Sequence, residues 1–164
     1  RERNSFRNGL ERGVYMGKVF DQVCMFKAKY PHTITWFRLR KHSAVIERHL
    51  NPGEEPIYSF AGQKNESMAD VTSTCVICLT NKRLLVGQDH IIVGYTFSSI
   101  TPDLFNDLTV YQGILFGKIT IDTAKETVVI SNLDKRCLPE IETAITSFMM
   151  EEKKKYPLRR DLDK

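Results

Sequence analysis

Between Pro52 and Asn132 the chain alternates short β-type runs with short turns, and no two runs leave room for a helix between them. Parallel strands need a crossover of a dozen or more residues. The sheet is therefore predicted to be antiparallel and mostly a meander. In the first run Ile57, Ser59 and Ala61 alternate with Tyr58, Phe60 and Gly62. The others are expected over residues 72–79, 83–86, 91–97 (curving at Gly94), 108–111, 114–121 and 127–130. Turns fall at Thr80-Asn81-Lys82, Gln88-Asp89, Gln112-Gly113 and Thr123-Ala124-Lys125. That makes seven strands.

Helical patterns flank this region. Val19, Phe20, Val23 and Phe26 recur on one side of a helix expected over residues 14–29, which Pro31 ends. A second, less regular helix is expected over 33–50, with Ile34, Trp36, Phe37, Ala44 and Val45 as its apolar set. Asn51-Pro52-Gly53 stops it. After the last strand, Asn132 or Asp134 can cap a long helix. Its stripe is Leu138, Ile141, Ala144, Ile145, Phe148 and Met149, and Pro157 is expected to end or kink it. A bent antiparallel sheet has one apolar face to bury, and a helix of this kind can plug it. The expected fold is mainly β: a curved seven-stranded antiparallel barrel closed by a C-terminal helix, with an N-terminal helical extension. The division is 1–50 helical hairpin, 51–156 sheet domain and 157–164 frayed tail.

Three stretches sharpen this. Residues 50–57 read LNPGEEPI, residues 78–85 read CLTNKRLL, and residues 113–121 read GILFGKITI. Together with the element order they resemble a bacterial pleckstrin-homology-like domain, most closely the YokE-like type, over about residues 50–150. Pro56 departs from the plainest form of the first stretch, because proline weakens the start of a strand. The resemblance implies a scaffold for lipid, peptide or protein contacts, without catalysis and without a cofactor.

The residues themselves agree that chemistry is not the theme. Cys75 and Cys78 form a CxxC, but strand side chains alternate, so residues three apart face opposite sides. A redox pair belongs at a helix N-terminus, and zinc needs two more ligands than this pair supplies. Cys24 and Cys137 stand apart, and His32, His42, His49 and His90 are scattered. Ordinary packing is the reading for the thiols, and no metal is expected. Asp103, Asp107 and Asp122 sit at corners and turns, where carboxylates cap backbone. No nucleophile–base set stands out, and no small-molecule substrate is expected.

Charge is uneven. Residues 1–50 hold eleven Lys/Arg against four Asp/Glu, whereas residues 51–130 hold five against nine. Arg38, Arg40 and Lys41 form a basic patch beside Trp36 and Phe37. Such interleaving can stack bases, but the acidic strand region argues against a nucleic-acid groove. Lys64, Lys82 and Arg83, from the early loops, are the candidates for an anionic ligand. Trp36, Phe37, Phe148 and Met149 are the candidates for an interface. The first reading is a non-catalytic binding or scaffolding module that contacts a protein partner or a second copy. The second is a peripheral membrane module that holds anionic headgroups through basic loops or the N-terminal helices. No secretory or membrane-spanning stretch is visible, so a cytoplasmic, membrane-peripheral setting is expected. The chain begins at Arg1 rather than methionine, which is compatible with a longer natural chain.

Overall fold

The computed structural model describes residues 17–162, with side chains to residue 155. The part of the first expected helix before residue 17 lies outside the described residues. Helix α1 spans Lys18–Lys29 and α2 spans Leu39–Arg48. Seven strands follow: β1 (Pro56–Gln63), β2 (Thr74–Thr80), β3 (Leu84–Asp89), β4 (Tyr95–Ile100), β5 (Phe105–Gln112), β6 (Gly117–Thr123) and β7 (Thr127–Leu133). A short 3₁₀ turn, Lys135–Cys137, leads into α3, Leu138–Leu162. Asp134 caps that turn, its carboxylate accepting from the Arg136 backbone N–H at 3.1 Å. The long helix runs through Pro157 instead of ending there.

Every strand pair is antiparallel, and the order across the sheet is β4-β3-β2-β1-β7-β6-β5. The sheet is not closed into a barrel, which corrects the expected closure. β4 and β5 are consecutive in the chain, yet they form its two outer edges. The corner at residues 101–104 turns β5 away, and β5 pairs only with β6. The two halves meet instead at β1 and β7, through the single pair Gln63↔Ser131.

Alternation along the strands builds two cores. Cys75, Ile77, Leu79, Leu84 and Val86 face inward, against Ile141, Ile145 and Met149 of α3. Val76, Cys78 and Leu85 face outward, against Val19 and Val23 of α1 and Ile46 of α2. β2 is thereby buried on both sides. Gly87 admits α2 to this outer face. A Cβ there would stand 2.7 Å from Ile46 Cγ1 and 3.2 Å from the His42 carbonyl oxygen.

The second helix begins later than its sequence suggests. Residues 33–37 stay out of the helix because their backbone is tied to the sheet. The Ile34 N–H donates to the Asn132 carbonyl at 2.9 Å and the Trp36 N–H to Thr74 Oγ1 at 2.8 Å. The β-branched run Thr33-Ile34-Thr35, with its low helix propensity, suits that placement.

At the β2–β3 turn, Arg83 grips Glu54 with two bonds of 3.0 Å. It also donates to Ser99 Oγ at 2.8 Å and to the His49 carbonyl at 3.0 Å. Glu54 further accepts from Thr80 Oγ1 at 2.7 Å and the Asn51 N–H at 3.0 Å. Burial pushes the Glu54 carboxyl up, but bonds from Arg83, Asn51 and Thr80 outweigh burial and hold it below its ordinary range. Two of the three stretches that carried the resemblance, around Glu54 and Arg83, thus meet in one ion pair. Removing one partner of a buried pair leaves the other charge stranded. Glu54→Ala is expected to cost about 3–5 kcal/mol, read as a lower urea midpoint at unchanged slope.

Candidate functional site

In an up-and-down sheet the loops after odd-numbered strands gather at one end. The β1–β2 loop, residues 64–73, lies between the other two loops of this set. Toward β3–β4, the Gln88 side chain donates to the carbonyls of Thr72 and Thr74, the latter at 3.1 Å. Toward β5–β6, Glu66 accepts from Lys118 Nζ at 2.8 Å. Lys135 Nζ reaches the Ile114 carbonyl at 2.7 Å. Trp36 joins from the α1–α2 linker, its indole N–H donating to the Met68 carbonyl at 3.1 Å.

This end is apolar at its tips. Ile92 is 93% exposed and Val93 80% in the β3–β4 loop, and Ile114 is 90% and Leu115 70% in the β5–β6 loop. Met68 and Val71 add to it from the β1–β2 loop, and Phe37 lies open beside Trp36. The sequence reading placed residues 91–93 and 114–116 within strands. The structure begins β4 at Tyr95 and β6 at Gly117, leaving those apolar residues in the turns. Gly94 closes the first turn with φ of +82°, a conformation glycine adopts without the Cβ penalty. The His90 N–H donates to the Gly94 carbonyl at 2.9 Å.

A polar knot holds the β3–β4 tip. Arg38, in the left-handed region with φ of 78°, starts α2 and pairs with Asp89 through Nη2. The same nitrogen donates to the His90 carbonyl at 3.3 Å. His42 is buried beneath, and its Nδ1 accepts from the Asp89 backbone N–H at 2.8 Å. Burial drives the His42 imidazole down to about 4, against the pull of the Asp89 carboxylate and with the push of the Arg38 charge.

The sequence candidates scatter over this frame. Lys64 stands at the loop end, whereas Lys82 and Arg83 sit at the far end of β2, roughly 20 Å away for a seven-residue strand. The three do not converge, and most of the Arg83 guanidinium donors are already used. Of the basic patch, Arg40 turns over the Phe20 ring at 5.1 Å. Lys41 is exposed and shares a cleft with Arg48, two turns further along the same helix face. Arg48 was missed in the sequence, although its seven-residue step from Lys41 was there to see. Met149 is fully buried in the inner core and Phe148 packs against it. Cys75 and Cys78 fall in different cores, as pleating requires, and burial pushes each thiol up to about 12. Asp107 accepts from the Leu108 N–H at 2.8 Å, and Asp122 faces Thr127 and Asn106 across its hairpin. Among the described residues no cluster of His, Cys, Asp or Glu could hold a metal ion, and no helix is long and apolar enough to cross a membrane.

Residues 50–147 match the family model described as a bacterial PH domain. The chain belongs to that family. Bacterial PH domains are non-catalytic, and PH-like domains are generally associated with protein or lipid binding. No curated protein matches. Among solved structures, the chain is similar to a pleckstrin homology domain from Shewanella amazonensis SB2B at 15% identity. That likeness covers 70% of this chain and 90% of the other, with a TM-score of 0.44. A DUF1696 family protein with a pleckstrin-homology domain, from Shewanella loihica PV-4, is 12% identical and also has a TM-score of 0.44. It covers 69% of this chain and 98% of the other. Both α1 and α2 precede the matched span.

His42 gives this end of the chain a pH signature. Its folded pKa, about 4, lies below the ordinary 6.5. The unfolded chain therefore takes up a proton first, and stability that is complete above pH 6.5 is lost as pH falls toward 4. Urea unfolding is expected to show a loss of about 2 kcal/mol between pH 7 and pH 5. Most of that step is expected to vanish in His42→Gln.

Proposed function

We propose that this chain is a non-catalytic docking module that seats the loop end of its sheet on an anionic membrane surface. The observation that carries this reading is the set of exposed apolar side chains at the hairpin tips: Ile92, Val93, Ile114 and Leu115. They stand on protruding turns rather than on a flat face, and cationic Lys41, Arg48 and Lys135 lie around them, the Lys118 charge being taken up by Glu66. Full burial of such a side chain is worth about 1.5–3 kcal/mol. Each cation near an anionic leaflet adds about 1 kcal/mol. The sum suits reversible association. Lys64, Trp36 and Phe37 belong to the same end and would join the contact.

Contact with a protein partner or a second copy, the reading that the sequence alone ranks first, has a different support. The outer edges of β4 and β5 are unpaired and could accept an added strand. The membrane reading is preferred because the tips, not the edges, carry the exposed apolar side chains. A cytoplasmic, membrane-peripheral setting goes with it. The helical segment 1–50 would be an extension to a domain spanning 51–156, followed by a tail at 157–164. The stretches at 50–57, 78–85 and 113–121 support a kinship nearest the YokE-like type.

Sedimentation with vesicles at physiological salt tests the proposal. The chain is expected to pellet with phosphatidylcholine vesicles containing 20% phosphatidylserine, and far less with phosphatidylcholine alone. Replacing Ile92 and Val93 together by serine should weaken the anionic-vesicle partition at least tenfold without shifting the thermal midpoint. A chain that stays in the supernatant with both vesicles overturns the membrane reading. A discrete dimer by light scattering in that case favours protein contact.

A further inference from the structure

The β3–β4 tip has a second side, turned toward α2. There a cleft of about 470 Å³ opens between the helix and the hairpin. Arg38, Lys41 and Arg48 line it from the helix, and Asp89, His90 and Ile92 from the hairpin. We propose that this cleft holds the phosphate of an anionic lipid headgroup, and that the site is built by a helix lying outside the span that matches the bacterial PH domain.

Charge is the first argument. Three cations line the cleft against one carboxylate, and that carboxylate, Asp89, is already engaged by Arg38. Neither Lys41 nor Arg48 has a carboxylate partner among the described residues. A solvated helix face usually interleaves both signs, whereas here Lys41 and Arg48, exposed two turns apart on one face, are both positive. Arg48 is held in place by the Tyr95 ring, 5.3 Å from its guanidinium carbon. Ala44 stands between Lys41 and Arg48, and its short side chain leaves the floor of the cleft open.

The second argument is Arg38. Its Nε is buried without a hydrogen-bond partner among the described residues. Its backbone sits in the left-handed region that non-glycine residues rarely adopt. Strain of this sort persists only where surrounding structure enforces it, and it clusters at ligand sites.

Depth is the third. Asp89 closes the β3–β4 ladder opposite Tyr95, and Ile92 stands at the tip of the turn beyond it. An apolar side chain seated at the headgroup–acyl boundary is buried about 5–10 Å deep. With Ile92 at that depth, the cations that line the same cleft, Lys41 and Arg48, face the headgroup layer. The membrane contact proposed above thus supplies the ligand, and this inference rests on it.

The test uses the full chain and vesicles of phosphatidylcholine with 20% phosphatidic acid. Lys41→Gln with Arg48→Gln is expected to weaken partition at least tenfold. Lys64→Gln with Lys135→Gln removes the same charge from elsewhere on the loop end and should weaken partition at least fivefold less. Equal losses in the two double variants mean that net charge alone attracts the chain, which overturns the site. No loss in Lys41→Gln/Arg48→Gln, with tip variants still defective, overturns the site and leaves the membrane reading standing. A wild-type chain that binds no vesicle at all overturns both. Amide shifts of Arg48 and Gly94 on titration with inorganic phosphate report a free-anion site. Saturation at micromolar phosphate, without vesicles, would overturn the lipid as the source.

Discussion

The strand that everything else depends on is β2. Its residues are buried on both faces, so it cannot exist as seen unless two separate layers cover it. The inner layer is the other plate of the sheet together with α3, with Ile119, Ile130, Ile141 and Ile145, while α1 and α2 supply the outer one, with Val19, Val23 and Ile46. Burial of apolar area is the dominant favourable force in folding. The N-terminal helices are therefore part of how this sheet is stabilised, although they precede the span that matches the family. The β5 strand shows the contrast, since most of its side chains stay exposed or half-exposed.

That asymmetry shapes the loop end. The β3–β4 hairpin is fastened to α2 by the Arg38–Asp89 ion pair and by His42 against the Asp89 backbone. An apolar turn so anchored holds its shape while exposed. The same helix then presents Lys41 and Arg48 beside the turn. An apolar tip and a cationic flank on one rigid unit are what distinguish this end from the β2–β3 end. There Arg83 is consumed by Glu54, and Lys82 is the exposed cation of the turn.

Much of the fold was legible because it follows from local rules. Turn residues and the absence of space for crossovers fixed seven antiparallel strands, and pleating alone separated Cys75 from Cys78. The stripe from Leu138 to Met149 announced the inward face of α3. What escaped were features that depend on distant partners. Nothing near residue 54 signals that its carboxylate will meet Arg83. Nothing near residue 34 reveals that Asn132 will hold the backbone out of the helix. The failure to close lies in the corner before β5, which periodicity does not encode. The candidate site was hidden for a sharper reason. Apolar runs at 91–93 and 114–116 look like strand, and a binding surface made of apolar turns is written in the same letters as a core. The cations were visible, but their grouping depended on which helix face α2 turns to the hairpin.

The narrow junction between β1 and β7 has a mechanical consequence. One backbone pair, Gln63↔Ser131, joins two broad plates of sheet. Asn132 braces it by bonding the buried Gln63 amide, and the crossing linker braces it again at Ile34. Bending stress applied to either plate concentrates on this crease, because elsewhere each strand is stitched to its neighbour along its length. The crease lies beside the β1–β2 loop, and what resists its opening is the shared inner core, which joins Ile77 of one plate to Ile119 and Ile130 of the other.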